Sequence, residues 1–147
     1  MSLAKSILRP ARRSNASVLT AAFVLFILWF GTEFILSPAT TAPGFGLPSW
    51  PSGDGGGFLV VKGIRDIVLA LVLAVLLLTG HRRALGWVLV VEALAAFGDM
   101  ATVLAHHGSA PTAFGVHGFT AALMVVTGLL ILRETREVTT APVPAPR

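Results

Sequence analysis

The chain has 147 residues, of which 54% are hydrophobic and 12% charged, against about 25% charged in an average soluble domain. One domain is the default at this length, and long apolar runs with so little charge mark an integral membrane protein rather than a soluble one. The net charge of +4 does not point to nucleic acid, because the basic residues flank apolar segments, and the absence of cysteine excludes disulfides, thiolate chemistry and thiolate metal sites.

The chain opens on a basic tail, residues 1–16, with Lys5, Arg9, Arg12 and Arg13. The first apolar segment, 17–36, has about the 20 residues that a spanning helix needs. It exceeds the roughly 7–15 residues of a cleavable leader's apolar core, so it reads as a span. Residues 37–57 hold four Pro and six Gly and cannot form one regular element. Trp50 in this linker suits the headgroup level. A second span follows at 58–79, then a short turn with Arg82 and Arg83, then a third span at 84–105. The fourth, 114–132, is slightly short and rich in small residues. Gly115, Gly118, Ala121 and Ala122 suit close helix packing there. Residues 133–147 form a tail with Arg133, Arg136 and Arg147, and its last part, VTTAPVPAPR, reads as disordered.

Backbone groups in hydrocarbon must be satisfied within the segment, so the spans are expected to be helices. The linkers 37–57 and 106–113 contain no Lys or Arg, whereas both tails and the 80–83 turn do. Lys/Arg bias sets orientation, so both termini are expected in the cytoplasm. The expected fold is an all-α, four-helix bundle, multi-pass in the cell membrane.

Six ionisable residues fall inside the expected spans: Glu33, Lys62, Arg65, Asp66, Glu92 and Asp99; His117 joins them. Most lie in the outer half of the bundle. Glu92 is deepest, roughly 12 Å from the inner end at about 1.5 Å per residue. Lys62, Arg65 and Asp66, related by i, i+3 and i+4, share one helical face. Glu92, Asp99, Val103 and His106 share another. A charge at mid-bilayer costs about 2.5–3.5 kcal/mol, so the KGIRD charges are expected to face inward and meet acids on other helices. The six sum to −2, which favours a protonated carboxyl, Glu92 first, or a cationic His117.

Plainer readings stand beside this one. Lys62 has the reach to snorkel to the headgroups. An Arg65–Asp66 network can serve only to pin helices, Glu33 can simply be wet near the interface, and Glu92 and Asp99 can be structural. His106 and His107 read as interfacial loop residues. Neither an HxxxH nor an HExxH signature is present, so no metal and no cofactor are expected. Gly63 either admits a close neighbour or marks a distortion.

The ordered set FGLP (45–48), KGIRD (62–66), GDM (98–100) and HGFTA (117–121) resembles a family of small four-span membrane proteins known as domain of unknown function number 4267. The similarity covers about residues 22–132, and KGxRD together with HG is the more specific part. More loosely, the arrangement is similar to DoxX-like membrane bundles. The resemblance implies a four-helix fold and marks Lys62, Arg65, Asp66, Asp99 and His117 as motif positions. It implies no activity.

Three functional classes follow. The first is an embedded site that binds or transforms a small lipophilic molecule without metal. Asp99 or Glu92 would be acid or base, His117 a proton relay, and Lys62, Arg65, Asp66 and Glu33 the binding groups, with the two cations as an anion clamp. The second is a non-catalytic accessory subunit whose charge cluster is structural and docks a lipid or partner. The third, a transporter or channel, is disfavoured by the plain hydrocarbon of the inner halves. The bilayer is the certain partner, nucleic acid has no support, and whether the chain is an enzyme or a homo-oligomer is left open.

Overall fold

The computed structural model describes residues 14–140, with side chains through residue 136. Lys5, Arg9, Arg12, Arg13 and the tail from 141 lie outside the described residues. Helix α1, Asn15–Leu36, starts at Ser14, whose side chain accepts from Ser17 N. It stops where Pro38 forces Ser37 out of the helical region, at φ −139° and ψ 52°. Pro38 then starts a short helix α2, Pro38–Thr41, followed by 3-10 turns at Ala42–Phe45 and Gly53–Gly56.

Helix α3, Gly57–Leu78, and helix α4, Arg82–Ala105, are joined by a tight turn. Gly80 sits there at φ 74°. His81 N donates to Leu76 O and Gly80 N to Leu77 O, the paired bonds that close a helix end on a left-handed glycine. Ser109 then caps α5, Ala110–Thr112. This passes through a π-helical stretch, Ala113–Gly118, into α6, Phe119–Thr140.

The described residues are helical throughout apart from turns and linkers. Three helices are long and apolar enough to cross a membrane: Asn15–Leu36, Arg82–Ala105 and Ala110–Arg136. The chain is therefore a multi-pass integral membrane protein. Helix α3 is also 22 residues long, but it carries Lys62, Arg65 and Asp66 and is not among the three.

The count of four helices needs correcting, because proline and serine caps create additional short helices in both linkers. The fourth segment is not short either: it begins at Ala110 and, with α5 and the π-helical stretch, spans 27 residues to Arg136. Residues 133–140, expected to begin the tail, continue α6. Nothing in RETREV breaks a helix, and Pro first returns at 142.

Two antiparallel pairs make up the bundle, α1 with α3 and α4 with α6. Glycines let the backbones touch. A Cβ on Gly63 would lie 2.6 Å from Gly31 O, and one on Gly128 would lie 2.7 Å from Gly86 O. The first contact is near the end capped by the 37–56 and 106–112 linkers, the second near the Arg82 end. The Arg82 end is filled by Phe23, Leu73, Leu85, Leu89 and Ile131. Arg82 closes it, donating to Ser17 Oγ at 2.8 Å and Ser14 Oγ at 3.1 Å and pairing with Glu134. At the other end, Ser109 N donates to Gly46 O at 2.7 Å, tying one linker to the other. Leu25, Trp29, Phe58, Trp87, Leu94 and Phe119 are exposed around the outside, as lipid-facing positions are.

Of the four small residues expected to pack closely, Ala121 is buried and Gly118 sits against Met100 Sδ. Gly115 faces open space and Ala122 is exposed. Gly63→Leu should destabilise the protein by about 1–3 kcal/mol through overpacking, because backbone blocks it. Gly98→Ala, which meets nothing within 4 Å, should be neutral or stabilising. Unfolding midpoints in detergent distinguish the two.

Candidate functional site

KGIRD lies on the second and third turns of α3, where i, i+4 spacing brings Lys62 over Asp66. Lys62 Nζ is 2.6 Å from Asp66 Oδ2. The other carboxylate oxygen, Oδ1, accepts from Arg65 Nε at 3.1 Å and Nη2 at 3.0 Å. Asp99 reaches in from α4, with Oδ2 3.5 Å from Arg65 Nη2 and 3.8 Å from Lys62 Nζ. Two cations and two carboxylates thus form one neutral network. The Asp66 side chain is 10% exposed, Lys62 16% and Asp99 21%, whereas Arg65 is 45% exposed. Arg65 alone keeps substantial contact with its surroundings.

Aromatic rings complete the setting of Lys62. Its Nζ lies 4.7 Å from the centroid of Phe34, 5.2 Å from Phe45 and 5.8 Å from Phe30, within the range at which a ring quadrupole attracts a cation. Phe45 arrives from the linker, turned inward just before Gly46, whose φ of 98° suits glycine.

The carbonyl of Phe45 also lies 2.9 Å from His117 Nε2, and the two rings are 4.7 Å apart. A carbonyl oxygen only accepts, so Nε2 carries the hydrogen and donates. His117 itself is buried, in the π-helical stretch Ala113–Gly118. Such local widening of a helix changes where side chains point and recurs at functional sites. Met100 rests on Gly118. The FGLP, KGIRD, GDM and HGFTA stretches therefore meet at one place.

A cleft of about 90 Å³, open on one side, lies between the two helix pairs at this place. By that measure one water needs about 10–15 Å³, so the cleft has room for several waters or a small group. Lys62, Arg65, Asp66, Asp99, Glu92 and His117 all line it, together with Phe26, Phe30 and Thr120. Glu92 stands apart from the network. It enters none of the hydrogen bonds or ion pairs among the described residues, and its Oε2 is buried without a partner.

A second, apolar hollow of about 190 Å³ lies beneath the linker on the other side of Lys62. A larger open hollow of about 450 Å³ sits between residues 47–51 and Thr102 and His106, away from the ion pairs.

Six of the seven anticipated site residues are thus brought together. The exception is Glu33, which is partly exposed, neither lines the cleft nor joins an ion pair among the described residues, and contributes only its backbone carbonyl, to Ser37 N and Thr41 Oγ1. The formal −2 resolves into a neutral network plus Glu33 and Glu92. His106 and His107 are exposed at the end of α4. Among the described residues no group of three or more His, Asp or Glu is placed to hold a metal ion. Sequence reasoning did not single out Phe30, Phe34, Phe45 or Thr120. Phe45 was visible only as the first letter of FGLP.

Asp66 is the hinge of the network because both cations bind it. Asp66→Asn should cost up to about 3 kcal/mol, since it leaves the largely buried Lys62 and the half-exposed Arg65 facing one carboxylate. Asp99→Asn, with longer contacts and more exposure, should cost about 1 kcal/mol or less. Chemical unfolding of both variants in the same detergent gives the order.

The family model described as "Domain of unknown function (DUF4267)" matches residues 24–131, most of the chain. No curated protein and no solved structure matches the chain. All four stretches that meet at the cleft lie inside the matched residues, and the chain belongs to the DUF4267 family.

Proposed function

We propose that this protein is a four-span membrane protein whose cleft binds a small lipophilic molecule and exchanges protons with it through side chains. In this reading α3 crosses the membrane with α1, α4 and α6, residues 17–132 form the membrane domain, and both termini are cytoplasmic. The cleft then opens in the outer half of the bilayer. Support for α3 as a span comes from its pairing with α1 along the Gly31–Gly63 contact and from the neutral sum of its charges with Asp99. An ion network that cancels internally removes much of the cost of placing charge at that depth.

The observation that carries the reading is Glu92: a carboxyl group lining a cleft, with one oxygen buried and no partner among the described residues. Buried polar atoms are nearly always satisfied, and an exception calls for an explanation such as a catalytic or ligand-binding role. We assign Glu92 as the group that meets the ligand and gives or takes its proton. Asp99, at the edge of the network, is the second acid or base. His117 donates through Nε2 to the Phe45 carbonyl, which leaves Nδ1 for proton relay. Lys62 and Arg65 hold Asp66 and Asp99 in place and set the electrostatics of the cleft. Glu33 has no part in this chemistry.

A different observation favours a second reading. Lys62, Arg65, Asp66 and Asp99 are all paired, as in a clamp that only fixes helix register in a non-catalytic accessory subunit. A conducting path has no support, because the Arg82 end is filled by apolar side chains.

Two experiments test the proposal. The chain has no cysteine, so single cysteines can be introduced without background. In intact cells an impermeant maleimide should label Ser52→Cys and Ser109→Cys, and should reach His81→Cys only after permeabilisation. Labelling of all three from one side would end the four-span topology.

For the cleft, lipid extracts of the purified protein should contain a small lipophilic molecule in stoichiometric amount. Ala96→Phe, which fills the cleft, should lose that molecule at an unchanged melting temperature. Equal recovery from both proteins, or no such molecule in either, would leave the clamp reading in its place.

A further inference from the structure

The cleft restricts the chemistry of its occupant. Its walls are mostly hydrocarbon, from Ile27, Leu69, Ala95, Val116 and Met124 among others. Its cations are engaged: Lys62 Nζ is 2.6 Å from Asp66, and Arg65 binds the other oxygen of the same carboxylate. An anionic ligand would have to displace Asp66 or Asp99 and would meet Glu92 as well. A protonated amine would meet cations and network carboxylates that already cancel, so it would need Glu92 as a bare, unpaired carboxylate in an apolar cleft before it arrived.

The unused polar group is the Glu92 carboxyl, which is without a hydrogen bond or ion pair among the described residues. A carboxyl group retains acceptor lone pairs whether or not it is protonated. Its terminal torsion is broad and roughly two-fold, so rotation about it can present either oxygen to the cleft. Thr120 offers a hydroxyl on the same wall. An apolar body with one hydrogen-bond donor satisfies the Glu92 oxygen without disturbing the ion network. The open side lets a longer chain leave its tail in the surrounding lipid.

We propose that the cleft takes an uncharged lipophilic molecule that donates one hydrogen bond, an alcohol or a phenol, to the Glu92 carboxyl. This rests on the reading of the cleft as a ligand site.

The test uses the full chain in nanodiscs and three diazirine-bearing octyl probes: an alcohol, an amine and a carboxylate. After irradiation, peptide mass spectrometry locates the label. The alcohol probe should label cleft-lining residues of α4 and α6 saturably. Octanol should compete, with octylamine and octanoate competing at least about tenfold less well, because each would bury a charge. Glu92→Gln keeps an acceptor and should retain competition. Glu92→Leu keeps the bulk without the acceptor and should weaken octanol competition about 3- to 10-fold.

Preferential labelling of the cleft by the amine or the carboxylate probe would overturn the hydroxyl assignment while leaving the cleft a ligand site. So would unchanged octanol competition in Glu92→Leu. Saturable labelling by none of the three would overturn the ligand site together with this inference.

Discussion

The Asp66 carboxylate is the point on which the bundle turns. One of its oxygens binds Lys62 and the other binds Arg65, and both cations reach across to Asp99 on α4. Without that carboxylate, α3 would bring two positive charges into a helix otherwise made of apolar residues and glycine. An unpaired charge near mid-bilayer costs about 2.5–3.5 kcal/mol, so α3 can sit among apolar helices only as part of a closed network. The pairing is also what α3 and α4 share at this end. The linker cap depends on it in turn, since Phe45 packs over the Lys62 ammonium and holds His117 through its carbonyl.

Much of this was legible in the chain because charge in an apolar run is a strong signal. Lys62, Arg65 and Asp66 at i, i+3 and i+4 had to share a face, and cost required that face to point at acids. The chain alone leaves open which of the acids on the other helices is met, and the structure brings in Asp99. Glu33 groups with the others in the sequence because a carboxylate three residues from a span end satisfies the same depth rule as one inside. Only the rotation of α1 separates the two cases, and α1 has apolar residues on nearly every side. Glu92 lies on α4 farther from the linker cap than Asp99, as its position in the chain requires, but no pattern in the sequence revealed that it would have no partner among the described residues.

What stayed hidden depends on contacts between distant segments. Phe45 lies in a Pro/Gly-rich linker whose path is set by Gly46 in the left-handed region and by its bond from Ser109; neither has a local signature. Gly63 was a visible oddity, yet its meaning needed Gly31, and Gly86 needed Gly128. A glycine in a span signals close approach without naming the neighbour. The π-helical stretch at His117 was equally silent, because the sequence there reads as ordinary helix. Arg82 looked like a topology signal and is also a staple between α1, α4 and α6. One basic residue can serve both purposes, since flanking position and hydrogen-bonding reach are compatible.

The two ends of the bundle divide the work between them. At the Arg82 end, apolar side chains interlock and one arginine ties three helices, so rigidity there needs no polar interior. At the other end, the Met100 side chain of α4 rests on Gly118 of the π-helical stretch. Room remains at this end between the two helix pairs. The room is bordered by an ion network that is neutral in sum and by a carboxyl group, Glu92, that has no hydrogen bond or ion pair among the described residues. A bundle selected only for stability would lose little by replacing Glu92 with leucine, since a buried acceptor without a partner is a cost with no return in packing. On the function proposed above, that cost is offset by a ligand that enters the cleft from outside the polypeptide.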